Sequence, residues 1–300
     1  MQRERPIVAI GEILWDVFPD GPRFGGAPAN FACHAAGLGA QAAIVSAVGD
    51  DDLGRGALHE LAQRLVNVEC VQIQPSRPTG TVQVMLDGAG KASFEFRSDI
   101  AWDDLTWGEP LELLARRAAA VCFGTLAQRC TASRATIQRF VRQTPPGCLR
   151  VFDVNLRAPF YDTEVIRESL ELANVFKLND DELPIVAGMF GLRGSERELV
   201  AGLGREGGLE LVAVTRGPRG ALLWSKTGEF SDEPGVPCVV KDTVGAGDSF
   251  TAALTIGLLQ KRSLHEINRH ACRVASYVCS QAGAAPRLPA ELQIDREEES

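Results

Sequence analysis

The sequence predicts an α/β protein built on a mostly parallel, layered sheet, and three observations carry that prediction. Short apolar runs rich in β-branched residues, such as Ile7-Val8-Ala9-Ile10 and Leu211-Val212-Ala213-Val214-Thr215, recur along the chain. Segments of helical apolar spacing alternate with them, the order that places helices on the faces of a sheet. The 300 residues, 45% hydrophobic and 23% charged, supply ample core for one large α/β domain or two small ones.

Residues 6–10 read as a buried first strand that ends at Gly11. Residues 12–18 continue in extended character and set Asp16 just beyond that strand's carboxyl end, where α/β sheets gather ligands. A solvated turn residue is the plainer reading of the same aspartate. Phe24-Gly25-Gly26-Ala27-Pro28-Ala29-Asn30 then leads into a small-residue helix over 31–39. Paired glycines before a helix strip away side chains, so a ligand can rest on the backbone, and Asn30 offers a donor and an acceptor suited to hydroxyl groups. A simple glycine turn accounts for the same residues.

Residues 43–48 read as a strand, 49–54 as a loop, the stretch to about Leu65 as a helix, and 71–73 as a further short strand. Asp50-Asp51-Asp52 reads as a solvated helix cap, because adjacent side chains in a loop diverge too far to share a metal. Between Thr79 and Leu105 the pattern changes. Residues 81–86 and 92–97 alternate with period two about the turn Asp87-Gly88-Ala89-Gly90, a β-hairpin that leaves the core sheet as a lid or an oligomer surface.

A buried strand at 118–123 and a helix at 133–142 restore the alternation. The strand entering at 150 precedes Asn155 and Arg157, groups that bond hydroxyls or phosphate. Residues 175–178 precede Asn179-Asp180-Asp181-Glu182, which has the spacing of a capping box at a helix start. The strand 211–215 passes through the turn Arg216-Gly217-Pro218-Arg219-Gly220 into the apolar run 221–224. A last helix runs to about Cys279, and the acidic tail from Ala290 is expected to fray.

The chain is organised around Asp242-Thr243-Val244-Gly245-Ala246-Gly247-Asp248-Ser249-Phe250, a loop that opens a helix. Phe250, Ala253, Leu254, Gly257 and Leu258 share one face of that helix. Gly245 and Gly247 permit a tight turn, and the free amides and positive end of the helix favour an anion. Asp248 has two readings at this point. It caps the helix, or it takes the proton from a hydroxyl attacking a phosphate held by the amides.

A formal charge of −8 argues against nucleic-acid backbone or an anionic membrane as the main partner. Eight cysteines, scattered through apolar runs without a C-x-x-C, suit buried reduced thiols and a cytoplasmic location. Glu12 and Asp16 interrupt the first apolar run too soon for a signal peptide, and no uninterrupted apolar stretch is long enough to span a bilayer. His265-Glu266-Ile267-Asn268-Arg269-His270 has its histidines five apart, about 140° away from each other on a helix, which a zincin motif does not tolerate.

With Gly25-Gly26 near one end and Asp242-Thr243-Val244-Gly245-Ala246-Gly247-Asp248 near the other, the chain resembles the ribokinase-like (PfkB) carbohydrate kinases over nearly its whole length. The resemblance implies a single domain over 1–300: a Rossmann-like αβα sandwich with a small β-sheet lid inserted at about 13–24 and 79–104. It implies ATP-dependent phosphorylation of a sugar hydroxyl with Mg2+, in many members a monovalent cation such as K+, and often a homodimer through the lid. Asp248 then resembles the catalytic base, and Gly245, Ala246 and Gly247 the anion hole. Asp16, Gly25, Gly26, Asn30, Arg97 on the hairpin, Asn155 and Arg157 are similar to sugar-binding positions. Asn179, Thr215, Gly217, Gly220 and Gly283 match the nucleotide site; Glu182 matches the residue that orders Mg2+, and Asp242 with the Val244 carbonyl the cation loop.

Gly25–Asn30, Phe94-Glu95-Phe96-Arg97 and Asp153-Val154-Asn155-Leu156-Arg157 resemble the fructokinase branch most, with Trp102 and Val154 departing from its usual residues. The implied activity is therefore fructose to fructose 6-phosphate, with 2-keto-3-deoxygluconate or another small sugar as the alternative, and a non-catalytic sugar or nucleotide sensor as the alternative of another class. A nicotinamide dehydrogenase fits poorly, since Phe250 stands at the third glycine position and the motif lies in the last quarter of the chain.

Overall fold

The computed structural model describes residues 5–86 and 92–293, the side chains of 84–94 excepted. The first half runs β1 (Ile7–Ile10), β2 (Leu14–Phe18), β3 (Gly21–Gly25), α1 (Ala27–Gly37), β4 (Ala42–Gly49), α2 (Asp52–Gln63), β5 (Val71–Gln74), β6 (Gly80–Leu86), β7 (Ala92–Phe96), α3 (Glu109–Ala115), β8 (Ala120–Phe123) and α4 (Thr131–Arg142). The second runs β9 (Leu149–Asp153), α5 (Thr163–Leu172), β10 (Val175–Asn179), α6 (Glu182–Met189), α7 (Glu196–Glu206), β11 (Leu211–Thr215), β12 (Ala221–Ser225), β13 (Phe230–Glu233), α8 (Ala246–Leu259) and α9 (Leu264–Cys279).

Among the described residues the core sheet has nine strands in the order β13-β12-β11-β10-β9-β8-β1-β4-β5. From β11 to β5 every pair is parallel, while β12 and β13 turn back antiparallel. Side chains alternate across this sheet as the pleat demands. Val8 and Ile10 of β1 face the core shared with α3 to α7, whereas Ile7 and Ala9 face that shared with α1, α2, α8 and α9. On the first face Phe123, Phe152 and Phe176 stack across three neighbouring strands at 5.3 and 5.5 Å between centroids. The result is the three-layered αβα sandwich expected.

The chain proceeds from β1 to β4 on one side and later returns through β8 on the other. Ligands collect outside the carboxyl ends of strands at such a reversal, so Glu12 after β1 and Thr125 after β8 flank the favoured place. The second sheet, β3-β2-β6-β7, stands off the same end. Asp51 anchors it: Oδ1 accepts the Gly54 amide at 2.8 Å, capping α2, and the Thr79 hydroxyl at 2.6 Å, while Oδ2 accepts the Thr79 amide at 2.8 Å. Trp15 Nε1 donates to the Leu53 carbonyl at 3.0 Å from the other side.

Several elements differ from expectation. Helix α1 begins at Ala27, four residues early, because Pro28 is tolerated in a first turn whose amides have no helical acceptor. Asn30 is thus helical. Strands β3 and β13 and helices α3, α5 and α7 are absent from the sequence reading, although α5 carries an Asp162 cap on the Val165 amide at 2.8 Å and α7 a Ser195/Glu198 capping box. Ala290–Leu292 forms a 3-10 turn that buries Leu292, so order extends past Ala290, and the tail beyond 293 lies outside the described residues. The hairpin turn at 87–90 lies outside the described residues. Cys33, Cys122, Cys148 and Cys272 are buried thiols, but Cys238 is exposed.

Gly204 of α7 faces Trp224 so closely that a Cβ would lie 1.9 Å from Cζ3, whereas a Cβ on Gly188 of α6 meets nothing within 4 Å. Gly204→Ala should lower stability by about 2–3 kcal/mol through overpacking, and Gly188→Ala should raise it by up to ~1 kcal/mol through helix propensity. Urea unfolding of both variants checks the contrast.

Candidate active site

The turn before α8 forms the floor of a cleft of about 1610 Å³ between the two sheets. Gly245 adopts φ +81°, and a Cβ there would strike the Ala284 carbonyl oxygen at 1.8 Å, so glycine is required twice over. Gly247 and Asp248 fall in the first turn of α8, where amides lack helical acceptors and the dipole is positive. The Ala246 amide is already directed to the Thr243 carbonyl at 3.3 Å. Gly245 occupies the cap position without a side-chain bond, so the capping reading of Asp248 does not hold. Its carboxylate turns away from its own helix, and Oδ2 accepts Asn30 Nδ2 at 2.8 Å. Asn30 is buried, and its Oδ1 has no hydrogen-bond partner.

Asp16, Gly26, Asn30, Asn155 and Arg157 line one half of the cleft together with Glu12 and Phe96. Asp16 is not a turn residue but lies within β2, opposite Arg23 and Val82. Gly25 contributes by being small, since a Cβ would come within 2.8 Å of Asp16 Oδ2, and Gly26, at φ +105°, would press one onto the Glu12 carbonyl at 2.6 Å. Asn155 is held at φ +38°, a conformation that asparagine tolerates better than most residues. Arg97 is not brought to the cleft: its side chain is exposed and its carbonyl accepts Arg129 Nη2 at 2.6 Å. Trp102 and Val154 are fully buried in the core, away from the cleft lining, with the Arg129 guanidinium 4.1 Å over the Trp102 ring.

The other half is lined by Asn179, Thr215, Gly217, Gly220, Asp242, Val244 and Gly283. Asn179 and Glu182 form the reciprocal pair expected of a capping box: Oδ1 of Asn179 accepts the Glu182 amide, and Oε2 of Glu182 the Asn179 amide, each at 2.8 Å. Oε1 of Glu182 accepts the Leu156 amide at 2.8 Å, which ties the Asn155 loop to the Asn179 loop. Glu182 is buried outside the cleft lining. Asp242 accepts the amides of Val244 at 3.0 Å and Gly283 at 3.1 Å, joining the loop before α8 to the segment after α9.

Two charged groups at the cleft, Glu12 and Lys177, were not picked out from sequence. Glu12, 3% exposed, has its pKa raised to about 7 by burial and by Asp248, against its own and Ala27's amides and the Arg157 charge. Lys177 of β10 pairs with Asp153 of β9 at 3.1 Å inside the protein, and Asp153 also accepts the Thr251 hydroxyl of α8 at 2.9 Å. A lysine within an apolar strand is a signal that sequence alone offers, since it enters a core only when paired. Burial, then the Asp153 carboxylate, pushes Asp248 up to about 6, while Asn30, Lys177 and Arg157 restrain the rise. Asp16 rises to about 6 by burial, opposed by Arg157.

Because burial raises Glu12 to about 7 in the folded protein against 4.5 for an ordinary glutamate, the folded state keeps a proton that the unfolded chain has lost between those values. The stability so contributed is present below the lower value and lost as pH rises through the upper one. Glu12→Gln, which removes this titration, should therefore raise stability at pH 8 relative to wild type by on the order of 3 kcal/mol and change little at pH 4. Unfolding free energies measured from pH 4 to 8 test the slope.

The profile described as pfkB family carbohydrate kinase matches residues 21–291. A fructokinase of Klebsiella pneumoniae is 32% identical over 267 residues, covering 84% of each chain. The structure of an uncharacterised sugar kinase of Pyrococcus horikoshii in complex with ATP superimposes with a TM-score of 0.80 at 28% identity, covering 93% of this chain and 94% of that one. A fructokinase of Vibrio cholerae, solved in fructose-, ADP- and calcium-bound form, gives 0.79 at 26% identity over 96% of this chain and 97% of that one. With the mixed α/β core, the smaller second sheet and the glycine turn under one cleft, this chain belongs to the pfkB family of carbohydrate kinases.

Proposed function

We propose that the chain transfers the γ-phosphoryl group of ATP to a hydroxyl of fructose, giving fructose 6-phosphate, with Asp248 as the base. One observation carries the reading: a half-buried carboxylate at the positive end of α8, bonded to Asn30, stands where the two halves of the cleft meet. The cleft, at about 1610 Å³, exceeds the ~300–1,000 Å³ of a single small-molecule site, which suits two substrates held end to end. The fructokinases among the relatives favour fructose, and the core positions of Trp102 and Val154 leave the sugar half of the cleft free of those two departures.

In this reading Asp16, Asn30, Asn155 and Arg157 bond the sugar hydroxyls, the unpaired Oδ1 of Asn30 serving as an acceptor. Asp248 takes the hydroxyl proton as the sugar oxygen bonds to phosphorus and the bond to the ADP oxygen breaks. The amides of Gly247 and Asp248 receive the charge that builds on the phosphoryl oxygens. Thr215, Gly217, Gly220 and Gly283 border the nucleotide. Glu182, with both oxygens on amides, positions Asn179 and the Asn155 loop, and through them would help order Mg2+ at the phosphates. Mg2+, when bound with ATP, would neutralise phosphate charge; Asp242 and the Val244 carbonyl are the groups that would hold a monovalent cation such as K+. The chain is read as one cytoplasmic domain whose second sheet acts as a lid and, through its outer face, joins a second copy. No helix among the described residues is long and apolar enough to cross a membrane.

Coupled ADP-release assays across fructose, ribose, 2-keto-3-deoxygluconate and adenosine test the substrate. Turnover highest by kcat/KM with fructose is expected; preference for another sugar replaces fructose, and no release with any of them removes the kinase reading. Asp248→Asn should keep ATP and sugar binding while kcat falls by about 10²–10⁴, and near-normal kcat would remove the base assignment. In wild type, kcat/KM should rise with pH through about 6 as Asp248 ionises and then level off. A profile flat from pH 5 to 8 would contradict it.

A further inference from the structure

Lys177 sits in the middle of the core sheet between β9 and β11, and is 6% exposed. Its ammonium nonetheless reaches the cleft lining, together with Gly247. A Cβ built on Gly247 would lie 3.1 Å from Lys177 Nζ, so the ammonium rests directly beneath the glycine turn. Three carboxylates, Asp153, Glu182 and Asp248, act on it from β9, α6 and α8 and favour its charged form. Of its three donors, one is used by Asp153 at 3.1 Å. The sequence contains no G-x-x-x-x-G-K-[ST], so no lysine of that kind serves the phosphates.

We propose that Lys177 contacts the phosphoryl group from beneath the Gly245–Gly247 turn while it passes from nucleotide to sugar, and supplies positive charge to it there. The inference rests on the kinase reading. In the step, the sugar oxygen bonds to the γ-phosphorus, the bond from that phosphorus to the bridging oxygen breaks, and ADP keeps the electron pair. The hydroxyl proton goes to Asp248; Lys177 keeps its own proton throughout. Burial makes such a charge effective, because little solvent screens it and no reorganisation is needed as charge develops. Asp153 orients the ammonium, and Thr251, whose single hydroxyl proton lies between Asp153 and the Gly247 carbonyl, each oxygen at 2.9 Å, fixes the pair against the same turn.

The experiment compares ATP with ADP, as their magnesium salts, by calorimetry, and measures turnover in parallel. Lys177→Met should weaken ATP binding at least tenfold while ADP affinity stays within threefold, and should lower kcat by about 10²–10³. The acid limb of the rate profile should also move to higher pH. Asp248 then loses the Lys177 charge and faces Glu12, Asp153 and Cys122, with Arg157 the remaining cation and Asn30 the remaining donor. Since Lys177→Met strands the Asp153 charge, the double variant Lys177→Met/Asp153→Asn removes both and keeps an acceptor for Thr251. It should show the same loss of ATP over ADP preference. If either folded variant keeps that preference and its kcat, or loses ATP and ADP equally, the assignment is overturned. Wild-type protein that releases no ADP with any sugar defeats the kinase reading instead, and the nucleotide comparison still judges Lys177.

Discussion

The hydrogen bond from Asn30 to Asp248 joins the first turns of α1 and α8, and the arrangement of the cleft depends on it. Each helix brings its positive end to the same place, one after the Gly25-Gly26 turn and the other after Gly245. Two converging dipoles and one amide donor make a half-buried carboxylate tolerable there, where desolvation alone would raise its pKa further. The pairing also explains the placement of the glycines. Gly26 lies against the Glu12 backbone and Gly245 against Ala284, so both helix starts are seated by close backbone contact that any side chain would prevent.

Helix α1 carries this constraint further along its length. His34, one turn beyond Asn30, is within hydrogen-bond distance of the Ala284 carbonyl at 2.9 Å, and burial lowers its pKa to about 4, so the ring is neutral at ordinary pH. Ala284 follows Gly283, whose amide is held by Asp242. The half of the cleft lined by Asp16 and Asn30, the glycine turn and the loop after α9 are thereby fixed to one rigid helix.

Much of the architecture was legible because it rests on periodicity: the parallel strands are apolar runs, and β6 with β7 alternates as a hairpin should. The elements that escaped have weaker patterns. Strand β3 is Gly-Pro-Arg-Phe-Gly, and nothing in that composition favours a strand until β2 pairs with it. Helix α3 is short, and its apolar face reduces to Leu111 and Ala115. At the site, Asp248, Asn30 and the glycines were legible as motif residues, but Lys177 and Glu12 were not. Their importance comes from long-range neighbours, Asp153 across a strand pair for Lys177 and Asp248 at the start of α8 for Glu12, which local spacing cannot register. Asp248 shows the converse. Its sequence position permits a helix cap, and the Gly245 cap position together with the tertiary partner Asn30 decides against it.

The carboxylates gathered at this cleft have a consequence for how it exchanges protons with solvent. Glu12 at about 7 and Asp16 and Asp248 at about 6 all lie within reach of neutral pH. An anion entering beside them raises their proton affinity, so occupation of the cleft and proton uptake are thermodynamically linked. Heats of ligand binding near neutrality therefore include the ionisation heat of whichever buffer surrenders those protons, and the affinity of the cleft for anions is itself a function of pH.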